Sequence, residues 1–268
     1  MDPAPAQSET PEPPSDVVDL AGSTADWLVT EALSADSGRV WLTETSAVKA
    51  VPIDRASELD AAAANASWLG DHVATAAPLL RSDAKDSAWL VSERLIGVPS
   101  HRPDLHGDVG SLAEVAGNAL RELHALPIDL APSSLERGWE ALDAVAAANV
   151  ASGLGEVDEP YQRYSGEKLL ELWREGRPEV EDLVICHGNA TLPNMIAQQG
   201  VFAGWVGLGG VRVADRHLDL AFAHESIHRS LGPEAVYVFY DTYGQDPELL
   251  RLDHYLLAKQ LLAKQLSS

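Results

Sequence analysis

The most informative stretch of the sequence reads Val184-Ile185-Cys186-His187-Gly188-Asn189-Ala190-Thr191-Leu192-Pro193-Asn194-Met195-Ile196. An apolar run ends at the His-Gly pair, an irregular turn follows, and a second apolar run begins after the last asparagine. Further along, a glycine-rich turn reads Gly207-Leu208-Gly209-Gly210, and it is followed by Val213-Ala214-Asp215-Arg216-His217-Leu218-Asp219. We take these two segments as the centre around which the rest of the chain is organised.

The composition limits the class of protein. With 268 residues, of which 46% are hydrophobic, the chain can form one two-lobed domain or two small domains with a real core. The single cysteine excludes an internal disulfide framework and is typical of a reducing compartment, so we expect a cytoplasmic location. No apolar run approaches the ~20 residues of a membrane span, so we expect no membrane partner.

The chain is strongly acidic, with a formal net charge of −22 and a pI near 4.6. Binding to nucleic-acid phosphates needs basic patches, so this charge argues against a nucleic-acid partner. Two interpretations of the acidity stay open. One is a site that attracts cationic ligands, and the other is a solvated acidic surface.

The first part of the chain predicts a tail and a small antiparallel sheet. Residues 1–18 contain five prolines and little that could be buried, so we expect a disordered tail. Residues 19–95 predict an N-lobe that has one helix at residues 58–69. Its five strands are predicted at residues 25–33, 39–44, 47–51, 77–81 and 88–93.

The remaining residues, 96–268, predict a helical C-lobe that contains the central segment, residues 184–219. Apolar residues recur at helical spacing between residues 112 and 126, which indicates an amphipathic helix. Further helices are predicted at residues 135–150, 166–174, 220–229, 233–243 and 247–266.

The central segment resembles the catalytic loop and the metal-binding segment of the aminoglycoside 3'-phosphotransferase family, which has a protein-kinase-like fold. In that family the loop reads His-Gly-Asp-x-x-x-x-Asn, and the later segment reads Ile-Asp-x-Gly-Arg-x-Gly-x-Ala-Asp-Arg. The resemblance covers about residues 25 to 262. It implies an α+β, two-lobed fold with a small antiparallel-sheet N-lobe and a larger, mainly helical C-lobe. The two reactive aspartates of the family are replaced here by Asn189 and Gly207.

The resemblance places Asn189 at the position of the catalytic base. An amide has no acceptor that titrates near neutral pH, so general-base assistance of roughly 10²–10⁴-fold would be lost. Asn194 matches the amide ligand of the metal, but the carboxylate ligand has become Gly207, and Mg²⁺ relies on carboxylates. We therefore expect no catalytic residue and no metal site, and a structural role for Asp215 at a helix start.

The resemblance also indicates residues that would hold a nucleotide. Lys49 matches the lysine that pairs with the phosphates, and the glutamate that orients it aligns with Ala62. Glu58, one turn earlier, replaces that glutamate if the helix is shifted. Ser92 and Arg94 lie in the predicted hinge between the lobes.

The candidate cofactor-binding residues are therefore Lys49, Ser92, Arg94 and Asn194. Ser37-Gly38 is a thin match to the loop that covers the phosphates, because one glycine gives the backbone little freedom.

Acidic residues hold the ammonium groups of the antibiotic in the family. The Asp-Glu pair that the family has near the C-terminus is replaced by Ala258 and Lys259, and a lysine repels ammonium groups. The loop before the central segment keeps Glu156, Asp158 and Glu159.

Framework residues match the family while the reactive carboxylates are absent together. We therefore interpret the chain as a pseudokinase, an aminoglycoside phosphotransferase-like protein without phosphoryl transfer that binds an unknown small molecule or protein partner. No cofactor is expected under this interpretation. The alternative is an active ATP-dependent small-molecule kinase with relocated acidic residues, which would need ATP and Mg²⁺. A third interpretation, a protein-interaction module, predicts a filled interlobe cleft and an exposed apolar patch.

Overall fold

The computed structural model describes residues 11–29, 38–106, 109–155 and 157–262 of the chain. Several predictions fall on other residues and therefore lie outside this part of the chain. They are the tail up to residue 10, the first predicted strand beyond residue 29, Ser37, Glu156, and the last predicted helix beyond residue 262.

Five strands form one antiparallel sheet near the N-terminus, in the order β1-β2-β3-β5-β4. They are β1 (Leu28–Val29), β2 (Arg39–Leu42), β3 (Ser46–Pro52), β4 (Pro78–Asp83) and β5 (Ser87–Glu93). The sequence analysis predicted five strands in this part of the chain. Strand β2 is shorter than predicted because Thr43 turns the chain, its hydroxyl accepting a hydrogen bond from the Ser46 amide at 2.9 Å.

A short helix, α1 (Ser15–Ala21), precedes the sheet and corrects the end of the predicted tail. Val17 and Ala21 lie one turn apart on the same face of α1, and both are buried against Trp41 and Trp89. The two tryptophans are stacked with their ring centroids 5.6 Å apart. The prediction of disorder is therefore wrong for residues 15–18. The polar composition of this segment indicated disorder, but the spacing of Val17 and Ala21 gives a helix with one buried face.

Helix α2 (Ala56–Leu69) covers one face of the sheet. Its Leu59 packs in an apolar group with Val51, Ala88 and Leu90 of the two central strands. A second set of contacts joins α2 to the glycine-rich turn of the central segment. The helix therefore lies between the sheet and the candidate site.

The C-terminal part is mainly helical, and its helices pack around the largest buried apolar cluster. Helix α4 packs against α8, and α7 packs against α9. The helices are α3 (Pro103–His106), α4 (Val109–His124), α5 (Gly138–Ala151), α6 (Gly166–Glu175), α7 (His217–Leu231), α8 (Pro233–Tyr243) and α9 (Leu249–Leu262). Together with the sheet they form a two-lobed α+β fold.

The connection between the two lobes runs from β5 to the short strand β6 (Val98–Pro99). The predicted division at residues 95 and 96 falls in this connection and stays a prediction. Over the residues with a described structure, no helix is long and apolar enough to cross a membrane.

Two short antiparallel strand pairs bring the two turns of the central segment together. Strand β7 (Leu183–Cys186) pairs with β10 (Arg212–Asp215), and β8 (Met195–Gln198) pairs with β9 (Val201–Trp205). The loop between β7 and β8 and the loop between β9 and β10 therefore begin and end at neighbouring strand ends. We call them the loop 187–194 and the turn 206–211.

The two loops contact each other backbone to backbone. Gly188 has φ +77°, and a Cβ atom at this position would overlap the carbonyl oxygen of Gly210. Only glycine combines that backbone angle with such a close approach. The His-Gly pair of the sequence is thus explained by packing.

Candidate functional site

A buried carboxylate holds the start of the loop 187–194. Asp219, fully buried at the start of α7, accepts hydrogen bonds from the backbone amides of His187 at 2.6 Å and Gly188 at 2.9 Å. It also contacts His124 Nε2 at 3.2 Å. The sequence analysis missed His124 and assigned Asp219 no role, although Asp219 is the last residue of the Asp-Arg-His-x-Asp motif. The place of Asp219 in this motif was the signal that could have indicated its role.

His187 braces the same loop from within. Its Nε2 donates a hydrogen bond to the carbonyl oxygen of Val206 at 2.9 Å, and its Nδ1 accepts one from the Asn189 amide at 3.3 Å. Burial lowers the pKa of His187, although the negative charge of Asp219 acts to raise it. The imidazole therefore joins the loop 187–194 to the turn 206–211 as a neutral group.

Asn189, at the predicted position of the base, is exposed at the surface of the loop. Its side-chain oxygen accepts a hydrogen bond from the Thr191 hydroxyl at 3.4 Å. Neither atom of this pair titrates near neutral pH, so the pair can orient a hydroxyl group but cannot take its proton.

Asn194 lies directly against Gly207. The Asn194 Nδ2 donates to the backbone carbonyl of Asn189 at 2.8 Å, which turns the amide inward across the loop. A Cβ atom built on Gly207 would lie 2.7 Å from Asn194 Oδ1. The Asn194 side chain thus occupies the space that a side chain at position 207 would need.

Asp215 is fully buried and has a structural role at the start of α7, as predicted. One oxygen accepts from the amide and the Nδ1 of His217, and the other accepts from the Asp182 amide and from Arg251 Nη1 at 2.9 Å. Burial alone would raise the pKa of Asp215, but the hydrogen bonds from His217 and Asp182 outweigh it, and the pKa lies below its ordinary value. Each oxygen of this carboxylate therefore accepts two hydrogen bonds.

The side chains at the two loops do not fit a magnesium ion. Gly207 stands where a carboxylate would coordinate it, and the neighbouring side chains of Asn189 and Asn194 are uncharged amides. Asp215 and Asp219 are buried and already hydrogen-bonded. His124, Cys186 and Asp219 do place ligand atoms within 4.8 Å of one another. Burial raises the pKa of the Cys186 thiol well above its ordinary value, and Asp219 holds the loop, so this cluster is structural.

Lys49 lies on the face of β3 that α2 covers. It shares that face with Val51, two residues on, and it is opposite Leu90 of β5. Burial lowers the pKa of Lys49, while the nearby Glu58 raises it and Arg55 lowers it further. Its ammonium forms no ion pair with any residue that the structure describes.

The predicted substitute for the helix glutamate has another partner. Glu58 accepts two hydrogen bonds from Arg55, from Nε at 2.7 Å and from Nη2 at 2.8 Å. Ala62, at the aligned position, packs against the apolar group between α2 and the sheet. The structure therefore brings Lys49 near Glu58, but the Glu58 carboxylate accepts its side-chain hydrogen bonds from Arg55.

Ser92 and Arg94 lie at the end of β5. The Arg94 Nη1 donates to the Thr43 carbonyl at 2.6 Å, and its backbone amide donates to the Thr45 carbonyl at 2.9 Å. Ser92 pairs with Ala47 across the sheet. The Arg94 side chain fastens the β2–β3 turn, and a cofactor-binding role for the two residues stays a prediction.

Acidic residues on the C-lobe contact a lysine of the same chain. Lys259 Nζ of α9 lies 2.6 Å from Glu225 Oε2 of α7 and 3.3 Å from Asp158 Oδ2. Gln260 donates to the same Asp158 oxygen at 3.1 Å, and it lowers the pKa of Asp158 more than the charge of Lys259 does. Ser226, the residue after Glu225, accepts a hydrogen bond from the Leu192 amide of the loop 187–194.

The fold and these two braced loops define a protein-kinase-like phosphotransferase fold. The chain belongs to the phosphotransferase enzyme family called APH, whose family model matches residues 29–253. An aminoglycoside 3'-phosphotransferase of Streptomyces fradiae is 32% identical over 203 residues, which is 72% of this chain and 75% of the relative.

Two further comparisons cover more of the chain. A streptomycin 3''-kinase of Streptomyces griseus is 30% identical over 269 residues, spanning 93% of this chain and 97% of the relative. The crystal structure of an aminoglycoside-3'-phosphotransferase of type VIII superposes with a TM-score of 0.77 at 27% identity, covering 88% of this chain and 93% of that one. The two-lobed α+β prediction is confirmed.

Proposed function

We propose that this member of the APH family is a pseudokinase, a protein that binds a ligand in the cleft between its lobes without transferring phosphate. One observation carries the proposal. Around the loop 187–194 and the turn 206–211, over the described residues, the nearby carboxylates of Asp215 and Asp219 are buried and fully engaged. Phosphoryl transfer relies on positioning and on charge neutralisation by metal ions, and the metal needs such carboxylates.

The position of the base supports the same proposal. The exposed amide of Asn189 contacts a hydroxyl and has no general base among its described hydrogen-bond partners. Without a base and without a metal ligand, two contributions to the rate are lost together, and the base alone contributes roughly 10²–10⁴-fold. The retained framework then serves to hold the cleft in shape.

The contact of Lys259 with Asp158 and Glu225 supports a ligand other than a polycation. A polycation would have to displace this ammonium from the carboxylates before it could use them. The proposal includes a small-molecule ligand rather than a protein partner, because the half-buried Lys49 offers a charge to a ligand that enters the cleft. It also includes a cytoplasmic location, because the only cysteine is a free buried thiol.

The competing function is an active ATP-dependent small-molecule kinase. It is favoured by the names of the relatives, which are antibiotic kinases, and by the retained Lys49 and Asn194. A kinase would need another carboxylate to move to the loops when the metal-nucleotide binds.

ATP turnover separates the two functions. The purified chain is incubated with ATP and Mg²⁺, with and without an aminoglycoside, beside the Streptomyces fradiae relative as the active control. We expect no turnover above background and no modified aminoglycoside. Turnover that disappears in the Lys49→Ala variant would show that the cleft is a working kinase site and would overturn the proposal.

A further inference from the structure

An open groove of about 370 Å³ lies between the segment that follows α6 and the start of α9. Pro178 and Val180 line one side, Leu250 lines the other, and His254 also contributes to its lining. Val180 is 72% exposed and Leu250 is 87% exposed, and Leu249, beside Leu250 in the chain, is 65% exposed. Single exposed apolar residues are common, but several of them around one groove form a patch of the kind that marks an interaction site.

Contacts within the C-lobe fix the shape of this groove. The Arg251 guanidinium joins its two sides, because Nη2 donates to the Val180 carbonyl at 3.2 Å and Nη1 donates to Asp215 at 2.9 Å. The His254 ring stacks on Trp173, with the ring centroids 4.2 Å apart and the planes inclined by 8°. The groove is therefore formed before a partner binds, which lowers the entropy cost of binding.

The groove lies away from the cleft between the lobes. Asp215, which Arg251 joins to the groove, pairs with Leu183 at the start of β7. The loop 187–194 follows the other end of β7, about 10 Å away along the strand. A partner in the groove would leave the cleft free, so this surface can act whether or not the cleft binds a small molecule.

The surface beside the groove is acidic. Glu175 is the last residue of α6 and directly precedes the segment that lines the groove, and Glu179 is part of the lining. Both side chains are exposed, and neither has an ion-pair partner among the residues that the structure describes. The basic residues of the same surface are each paired with an acid of this chain, namely Arg174 with Asp143, Arg177 with Glu140 and Arg251 with Glu248.

The charge decides which kind of partner fits. A second copy of the chain would bring the same acidic surface, and each copy carries a net charge of −22, so the two would repel each other. A small polycation would satisfy the carboxylates but would leave the apolar walls of the groove exposed to water. A basic amphipathic helix matches both features, because it presents apolar side chains on one face and cations beside them.

We propose that the groove between residues 176–180 and the start of α9, with Glu175 and Glu179 beside it, docks a basic amphipathic helix of a partner protein. One large apolar side chain of the partner enters the groove between Val180 and Leu250, and lysine or arginine side chains pair with the two glutamates. The apolar side chain provides most of the affinity. The exposed carboxylates mainly speed association and orient the helix.

Fluorescence anisotropy tests this with a labelled synthetic amphipathic helix of leucine and lysine, titrated with the full chain. We expect saturable binding of one helix per chain that weakens as salt is raised. A control helix with glutamate in place of lysine should not bind. A second control has the same composition, but its leucines are spread around the helix, and it should bind about tenfold more weakly. Equal binding of the second control would show that charge alone attracts the helix and would overturn the inference.

An apolar substitution in the groove locates the contact. Leu250→Ser should weaken binding about tenfold or more, as for one large apolar side chain left in water. Val201→Ser removes a comparably exposed apolar side chain from β9, 67% exposed, and should leave the affinity unchanged. Both side chains project into solvent, so both variants should fold. An unchanged affinity in the Leu250→Ser variant contradicts the proposed contact.

Substitution of the acids separates local from overall charge. The double variant Glu175→Gln and Glu179→Gln should weaken binding severalfold. The double variant Glu122→Gln and Glu234→Gln removes the same charge from exposed positions on α4 and α8, two helices that pack against each other, and should have little effect. Equal losses in the two double variants would mean that only the net charge of the chain matters, which the proposal does not allow.

Two other occupants give different results. Sedimentation velocity of the free chain should show a monomer, and a dimer that dissociates in the Leu250→Ser variant would assign the groove to a second copy. Calorimetric titration with spermidine gives the remaining case. Spermidine that binds to the unmodified chain while the leucine-lysine helix does not would assign the acidic surface to a small polycation. Either result overturns the inference.

Discussion

Replacing Gly207 by aspartate tests whether the site has room for a carboxylate at this position. Gly207 has φ +74° and ψ 37°, the left-handed region, where a residue other than glycine costs about 1–2 kcal/mol. The new Cβ would also meet Asn194 Oδ1 at 2.7 Å, so the Asn194 amide must rotate. That rotation removes the hydrogen bond to the Asn189 carbonyl, which contributes about 1 kcal/mol. We expect Gly207→Asp to lower the free energy of unfolding by about 2–3 kcal/mol.

Gly244 provides a matched control. It ends α8 in the same region, with φ +87° and ψ 25°, and a Cβ atom there would meet nothing within 4 Å. Gly244→Asp therefore isolates the backbone strain, about 1–2 kcal/mol. Chemical denaturation and thermal melting of both variants give the difference, which we assign to the Asn194 contact. A second Asn194→Ala substitution should remove most of that difference, as expected for coupled neighbours.

Two results would refute this reasoning. If Gly207→Asp destabilised the chain no more than Gly244→Asp, the space beside Asn194 would still be open to a carboxylate. If Mg²⁺ raised the melting temperature of the unmodified chain, a metal site would exist that the described residues do not display. Either result would favour the kinase interpretation.

Three further predictions concern other parts of the structure. Lys259→Ala should cost less than about 1 kcal/mol and should create binding for propylammonium, measured by calorimetry, because two carboxylates lose their cation; Lys168→Ala, which breaks an exposed pair, should create none. The pKa of His254 is lowered by burial to about 4, so the unfolded chain binds the proton more strongly and stability falls as the pH drops from 6.5 to 4. His254→Phe should reduce that fall by up to about 2 kcal/mol in urea titrations at several pH values, and an unchanged pH profile would contradict the burial. Asp219→Asn should cost about 3 kcal/mol in the same assay, against about 0.5 kcal/mol or less for the exposed Asp129→Asn, and equal costs would contradict the bracing role.

The helices and strands of the structure were largely predictable from local patterns. Helix α8 has its predicted bounds because a proline begins it and Gly244 ends it in the left-handed conformation. The central strands of the sheet were predictable because β-branched and aromatic residues are bounded by turn residues. These sequence signals lie within a few residues of one another, so they can be recognised without knowledge of the fold.

The pairing of side chains within the site was less predictable. The contact between Lys259 and Glu225 joins two helices, and the contact of His124 with Asp219 crosses the C-lobe. A sequence pattern does not specify such long-range partners, since many acids and bases are available to each. The resemblance to the family named the positions that had changed, but it could not tell that Arg55 binds Glu58.

The charge of the candidate site decides between the two interpretations of the acidic composition. The site positions named from the family pattern have lost negative charge here: the base, the metal ligand and the helix glutamate have become neutral, and the C-terminal acid pair now includes Lys259. These site positions therefore carry less negative charge than the family pattern, whereas the chain as a whole has a net charge of −22. If the acidity served to attract cationic ligands to the cleft, the cleft would retain these acids and would not fill one of their sites with a lysine. We infer that the acidity belongs to the solvated surface.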